Sequence, residues 1–252
     1  MNRSLAIAVS LVAAAPLFAQ DARQIVAESQ KRARANSQRY EGVLEVVGAG
    51  NKISKKSWVS DRIGAFGNSK VIIRFTAPAD VKGVALLVVN HPDRASDQWM
   101  WTPAINRERR IALQDRSTRF FATDFSFEDL EERDVDQFDY KLLGEEAVDG
   151  AACWKIEARP RESKSSQYTL TRIFIRKDNY VPVQYESYIK DQVVRRLHET
   201  DIANVQGIWT ARTLEMTDLR RNSRTILRFE KLQYNVPMKE DDFTVQALRR
   251  EQ

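Results

Sequence analysis

The sequence predicts a mainly β protein built on an antiparallel meander, and three observations carry that expectation. From Tyr40 onward, runs rich in Val, Ile, Thr, Tyr, Phe and Trp recur at intervals of roughly ten residues with turn residues between them. No strand run alternates with a helical one in the βαβ manner, so a parallel sheet is not expected. The 252 residues include 11 Phe, 7 Tyr and 5 Trp, and 42% are hydrophobic. A chain with that many aromatics can build a core and is not expected to be disordered.

The first element is an address rather than a structural unit. Arg3 gives a short basic start, Leu5 to Ala15 is apolar apart from Ser10, Pro16 ends the run, and Ala19 offers a small residue for cleavage. Residues 1–19 are read as a secretory signal peptide. The apolar run is too short to cross about 30 Å of hydrocarbon comfortably. No Cys follows it, so an acylated N-terminus is not expected, and the chain from residue 20 to 252 is read as one exported, soluble domain.

Residues 21–37 carry a helical pattern. Asp21 can cap, Gln24 stands at capping-box spacing, and Ala22, Ile25, Val26, Ser29 and Ala33 form a thin apolar stripe opposite a basic face. Strand runs follow at 41–48, 52–66, 70–77, 82–90, 97–102 and 106–113, and resume at 138–147, 151–159, 166–177, 181–189, 192–204, 208–217 and 224–234. Asp149-Gly150, Asp178-Asn179 and Arg220 to Ser223 read as hairpin turns. Between 120 and 137 the strand texture stops. Ser126 with Asp129 three residues on predicts a short helix near 127–133.

Several strands are apolar on both faces. Val84 to Val89 has no polar alternation, and Val71 to Phe75 is broken only by Arg74. Such strands are covered on both sides. One cover could be a second sheet, or the sheet could be curved with a concave face that lines an apolar cavity closed by the few helices; a filled core is the plainer reading. Trp99 and Trp101 alternate and so share one strand face. Phe120, Phe121, Phe125 and Phe127 follow in the loop, which reads either as a lid or as a satellite core.

The chemistry-bearing residues argue against an enzyme. One Cys excludes a disulfide scaffold and a Cys-based zinc site, and two His make a His-rich metal centre a poor expectation. His91 and His198 lie in a turn and on a polar strand, and no G-x-S-x-G elbow is present. Cys153 reads as a small buried apolar residue. The acids from Glu128 to Asp139 lack calcium-loop spacing, and no phosphate-binding glycine motif occurs, so no metal or cofactor is expected. Carboxylate pairs assembled across strands leave no local signature and are not addressed by motif reading. Lys and Arg number 40 against 35 Asp and Glu, a mild excess spread along the chain rather than gathered in a stripe, so nucleic acid is not an expected partner. Arg109-Arg110 followed by Asp124 and Asp129 suggests Arg–carboxylate forks that either fix the loop to the sheet or hold a lipid headgroup.

One block is more specific. Trp99-Met-Trp-Thr-Pro-Ala-Ile-Asn-Arg-Glu-Arg-Arg-Ile111, then Phe120 and Thr123-Asp-Phe-Ser-Phe-Glu-Asp-Leu130, resembles the signature of the outer-membrane lipoprotein-sorting proteins of LolA-like type. Tyr180-Val-Pro-Val, Gly207-Ile-Trp, Asn235-Val-Pro and Phe243 fit the same pattern in order. Ala122 stands where the pattern carries Gly, and Asn106 to Glu108 is more polar than usual. The resemblance implies a curved antiparallel half-barrel of LolA/LolB type, with a few helices covering an apolar concave face. It implies a periplasmic carrier that binds lipid or the acyl chains of lipoproteins and passes them toward the outer membrane without catalysis and with transient membrane contact. It also implies an inner-membrane exporter of resistance-nodulation-division type as a partner; an adaptor of such an exporter, with a filled core and no cargo, is the alternative. The residues expected at the cavity and lid are Val71, Ile73, Phe75, Trp99, Trp101, Phe120, Phe125, Phe127 and Leu130, with Arg109, Arg110, Asp124 and Asp129 at a headgroup or fixing the lid.

Overall fold

The computed structural model describes residues 21–48, 50 and 52–250. Residues 1–19, read above as a signal peptide, lie outside that range. Among the described residues one α-helix, α1 (Ala22–Arg32), precedes thirteen strands: β1 (Ser37–Val47), β2 (Ile53–Ala65), β3 (Asn68–Ala77), β4 (Ala85–Asn90), β5 (Asp97–Thr102), β6 (Arg107–Arg110), β7 (Phe138–Val148), β8 (Ala151–Pro160), β9 (Leu170–Arg176), β10 (Pro182–Ile189), β11 (Gln192–Val205), β12 (Ile208–Asp218) and β13 (Ser223–Tyr234). All belong to one curved antiparallel sheet in the order β6-β5-β4-β3-β2-β1-β13-β12-β11-β10-β9-β8-β7. Every neighbour is a hairpin partner except β1 and β13, which pair in the middle of the sheet. The outer strands β6 and β7 do not pair with each other, so the sheet is not closed into a barrel.

The turn chemistry explains the hairpins. At Asp149-Gly150 both residues have positive φ, 50° and 78°, the geometry of a type I′ turn. Gly42 sits at a bulge where β1 shifts register against β13. A Cβ there would stand 1.9 Å from the carbonyl oxygen of Arg228, so only glycine lets the two backbones approach this closely.

The order of strands forces one long crossing. The link from β6 to β7, residues 111–137, starts at one sheet edge and ends at the other. Its side of the sheet follows from its bonds. Gln98 of β5 donates to the Phe127 carbonyl at 3.1 Å, the Asp124 amide donates to Thr225 of β13 at 2.8 Å, and Arg195 of β11 donates to Asp129 at 2.8 Å. The link therefore lies across the inner face. Helix α1 covers the rest of that face, with Ala22, Ile25 and Val26 packed on Phe138, Ile156, Ala158, Ile173 and Ile175. After β13 the chain returns over the outer face, where Phe243, Ala247 and Leu248 pack on Ile72, Ala85, Leu87 and Trp101.

This accounts for the doubly apolar strands. In β3, Val71, Ile73 and Phe75 face inward, whereas Ile72 and Arg74 face outward; in β4, Leu86 and Val88 face inward and Ala85 and Leu87 outward. The inner cover is the 111–137 link and the outer cover is the C-terminal segment, not a second sheet. Arg74 does not break the pattern, because its guanidinium donates to the carbonyl of Leu248 at 2.9 Å under that segment.

Three element expectations need correction. The helix predicted near 127–133 is only a 3-10 turn, Glu128–Leu130. The Ser126–Asp129 box does form: Asp129 Oδ2 accepts from the Ser126 amide and hydroxyl, both at 2.7 Å. The chain then leaves helical geometry at Glu131, at φ −80° and ψ 147°, because that carboxylate is drawn inward by Gln98, Arg116 and Lys164. The strand predicted over 106–113 shortens to Arg107–Arg110, since Asn106 takes a left-handed turn conformation and Ile111 bonds back to the Gln98 carbonyl. The helix predicted over 21–37 ends at Arg32, leaving Ser37 free to open β1; Asp21 caps it through the Arg23 amide at 3.2 Å.

Candidate functional site: a cavity beneath the helix and the crossing link

The predicted site residues fall into three groups. Val71, Ile73, Phe75, Phe120, Phe127 and Leu130 come together in one inner cluster with Leu86 and Val88. Phe75 and Phe120 stack at 5.5 Å between centroids, and Phe120 meets Phe127 edge-on at 5.7 Å. Phe125 is buried in the same link, its carbonyl accepting from the Phe120 amide. This half of the concave face is filled.

Trp99 and Trp101 do share a face, but it is the outer one, where they pack with Phe243 and Leu248 and Arg249 lies over the Trp101 ring. The pairing of β4 with β5 sets this: Leu87, an outward residue, stands opposite Trp99. The inward residues of β5 are Gln98 and Met100. The two tryptophans therefore stand apart from the inner cluster.

The four polar residues split as well. Arg109 and Arg110 lie on the exposed edge strand and reach Asp115 and Asp97, not Asp124 and Asp129. The two acids do fix the link to the sheet, with other partners. Asp124, fully buried, accepts from Ser223 and Thr225 of β13 and from Arg119. Asp129 accepts from Arg195 and Tyr168 at 2.8 Å each. Glu131 is held by Arg116 and Lys164, and Glu132 by Arg62 at 3.0 Å. A buried ion held this way is costly to leave unpaired, so each contact fixes the path of the link.

The open space is elsewhere on the same face. A cavity of about 250 Å³ lies between α1, the end of the link and strands β7 to β12. Its walls are mostly apolar: Val26 and Ala33 from the helix, Phe138, Ala158, Ile173, Ile175 and Pro182 from the strands, Leu197 and Met216 beyond them, and Phe66 from the β2–β3 turn. Of the sequence-predicted residues, only Asp129 lines it. A polar group sits among these walls: Arg133, Tyr140, Tyr185 and Glu199. Burial pushes the Glu199 carboxyl up to about 8, with Arg133 opposing the shift. Burial likewise pushes the Tyr140 and Tyr185 phenols well above the usual range.

Sequence reading missed this half. In β11, Leu197 and Glu199 line the cavity and Arg195 reaches the link, while Arg196 and His198 pair on the other side with Glu186 and Asp149. Both faces carry charge, so period-two alternation gives no inward signal there. The only available cue was the apolar stripe of α1, which marks what it covers.

The comparisons with known proteins agree with this architecture. A family model whose description reads "-like: Uncharacterized protein" matches residues 67–250. The chain is similar to a domain from Vibrio parahaemolyticus whose name refers to outer-membrane lipoprotein sorting, at 25% identity and a TM-score of 0.86, covering 91% of this chain and 98% of that one. It is also similar to a DUF1329 family protein from Desulfovibrio piger, at 29% identity and a TM-score of 0.85, covering 90% and 97%. A LolA superfamily protein from Nitrosomonas europaea, at 16% identity and a TM-score of 0.70 over 90% and 98%, shares the fold. No curated protein matches the sequence. The fold is thus a half-barrel of LolA type. The chain belongs to the family whose model matches residues 67–250. Among the described residues no helix is long and apolar enough to cross a membrane.

Proposed function

We propose that the protein is a periplasmic carrier that holds the acyl chain of a lipid or lipoprotein under α1 and the crossing link, and passes it toward the outer membrane without chemistry. The observation that carries this reading is the apolar-walled cavity between the helix and the sheet. Its volume of about 250 Å³ exceeds that of an engineered cavity of about 150 Å³ that takes up benzene, and approaches that of small-molecule sites. A short stretch of acyl chain enters as the walls stand, and a longer one displaces α1. Each buried methylene contributes roughly 0.8 kcal/mol, so a held chain is not released without a partner or movement of a cover. Export rests on the pattern of residues 1–19, and an inner-membrane exporter is the partner that would supply or accept the cargo. The filled cluster around Phe75 favours the adaptor alternative for that half of the molecule, since no ligand enters it as it stands.

The test is uptake of a fluorescent fatty acid by the wild-type protein and by Ala33→Trp, which puts an indole at the helix end of the cavity. The carrier reading predicts uptake by the wild type and strong loss in the variant. Leu143→Trp, on an exposed strand position away from the cavity, serves as the comparison. No uptake by the wild type, or equal uptake by all three, removes the reading.

A further inference from the structure

Nearly every charge on the inner face has a partner. Asp124, Asp129, Glu131 and Glu132 are all held by arginines, lysines or hydroxyls of the sheet. Arg133 and Glu199 break that rule. The Arg133 Nη1 is buried and has no hydrogen-bond partner, and its guanidinium lies over the Tyr185 ring, 5.2 Å from the centroid. Glu199 senses Arg133 across the cavity, yet no ion pair joins them. Among the described residues the Glu199 carboxyl and the Tyr140 and Tyr185 phenols take no hydrogen bond. All four side chains line one cavity whose remaining walls are largely apolar. The Arg133 nitrogen is the buried donor of the set, and Tyr140, Tyr185 and Glu199 are half-buried around it. A buried donor left open among convergent polar groups calls for an acceptor.

We infer that these four residues form a recognition site for an anionic oxygen group, a carboxylate or a phosphate, carried by the acyl ligand. The inference rests on the carrier reading above and names the chemistry of its cargo. Arg133 supplies the charge and a planar set of donors suited to such oxygens. The Tyr140 and Tyr185 hydroxyls add neutral donors. Glu199 does not oppose an anion at neutral pH, because burial keeps its carboxyl protonated up to about 8. The other acids lining the cavity are paired: Asp129 with Arg195, Glu132 with Arg62, and Glu131 with both Arg116 and Lys164. Arg133 is therefore left as the uncompensated charge facing the space, and the apolar walls take the tail.

The experiment compares three ligands with one tail, hexadecanoate, hexadecyl phosphate and methyl hexadecanoate, titrated into the full-length exported protein at pH 7. At least one anion is expected to bind about tenfold or more tightly than the ester, a difference typical of a charge-assisted hydrogen bond. The anion that binds more tightly distinguishes a carboxylate source from a phosphate source. In Arg133→Gln the preference should fall to about one, and in Arg133→Lys, which keeps the charge, part of it should return. Wild-type affinity for the anion should fall between pH 7 and 9 as Glu199 ionises beside it, whereas Glu199→Gln should show no such fall. Thermal melts confirm that each variant is folded. If anions and ester bind the wild type equally, or the preference survives Arg133→Gln, the inference is overturned while the carrier reading stands. If none of the three binds, both fall.

Discussion

Replacing Glu199 with Gln should stabilise the unliganded protein, and by an amount that depends on pH. In the unfolded chain the carboxyl titrates near 4.5, and in the folded protein burial raises this to about 8. Between those values the native state holds a proton that the unfolded chain has released. The native state is therefore most favoured below 4.5, and its advantage is lost as pH rises through 8. The full shift corresponds to at most about 5 kcal/mol. The carboxyl faces a cavity that water can enter and has Arg133 nearby, so the realised cost is expected at about 1–3 kcal/mol. Gln keeps the shape and cannot ionise. Urea denaturation of wild type and Glu199→Gln at pH 4.5, 7 and 9 measures the difference directly, and other titrating groups cancel between the two proteins. The difference should be near zero at pH 4.5 and grow to about 1–3 kcal/mol in favour of the variant at pH 9. A difference that is constant across pH, or that shrinks as pH rises, would refute the burial of this carboxyl under α1 and the crossing link.

Three further outcomes follow from the same structure. Arg195→Met leaves Asp129 buried without its cation, so it should cost about 3–5 kcal/mol and expose residues 111–137 to limited proteolysis before the strands. Phe75→Ala, at a fully buried position stacked on Phe120, should cost about 3–5 kcal/mol in urea melts while sparing ligand uptake, because Phe75 is not a cavity wall. Gly42→Ala pushes a methyl into the Arg228 carbonyl at the β1–β13 bulge and should lower stability by about 1–3 kcal/mol, again visible in a urea midpoint.

The strand meander was legible because aromatic and β-branched runs alternate with turn residues, and most strand limits fall within a few residues of the sequence reading. That the phenylalanines of residues 120–127 need cover was legible too, but not whether they form a lid or a satellite core. What the sequence does not carry is which face each strand turns inward. Trp99 and Trp101 share a face in either case; only the register against β4 and the outer cover at Leu248 decide which one. The partners of Asp124 and Asp129 lie about 100 and 66 residues away, on β13 and β11, whereas Arg109 and Arg110 are close in sequence and far in effect. The cavity was invisible for the same reason: its walls come from α1, the link and six strands, and no contiguous segment signs it.

The central claim is that an acylated molecule occupies the space under α1 and the crossing link. Native mass spectrometry of the protein exported to and purified from a bacterial periplasm, followed by lipid extraction, tests it most directly. The account predicts a stoichiometric acylated adduct that Ala33→Trp loses. A clean unliganded mass, from a protein that also takes up no fluorescent fatty acid, would contradict it.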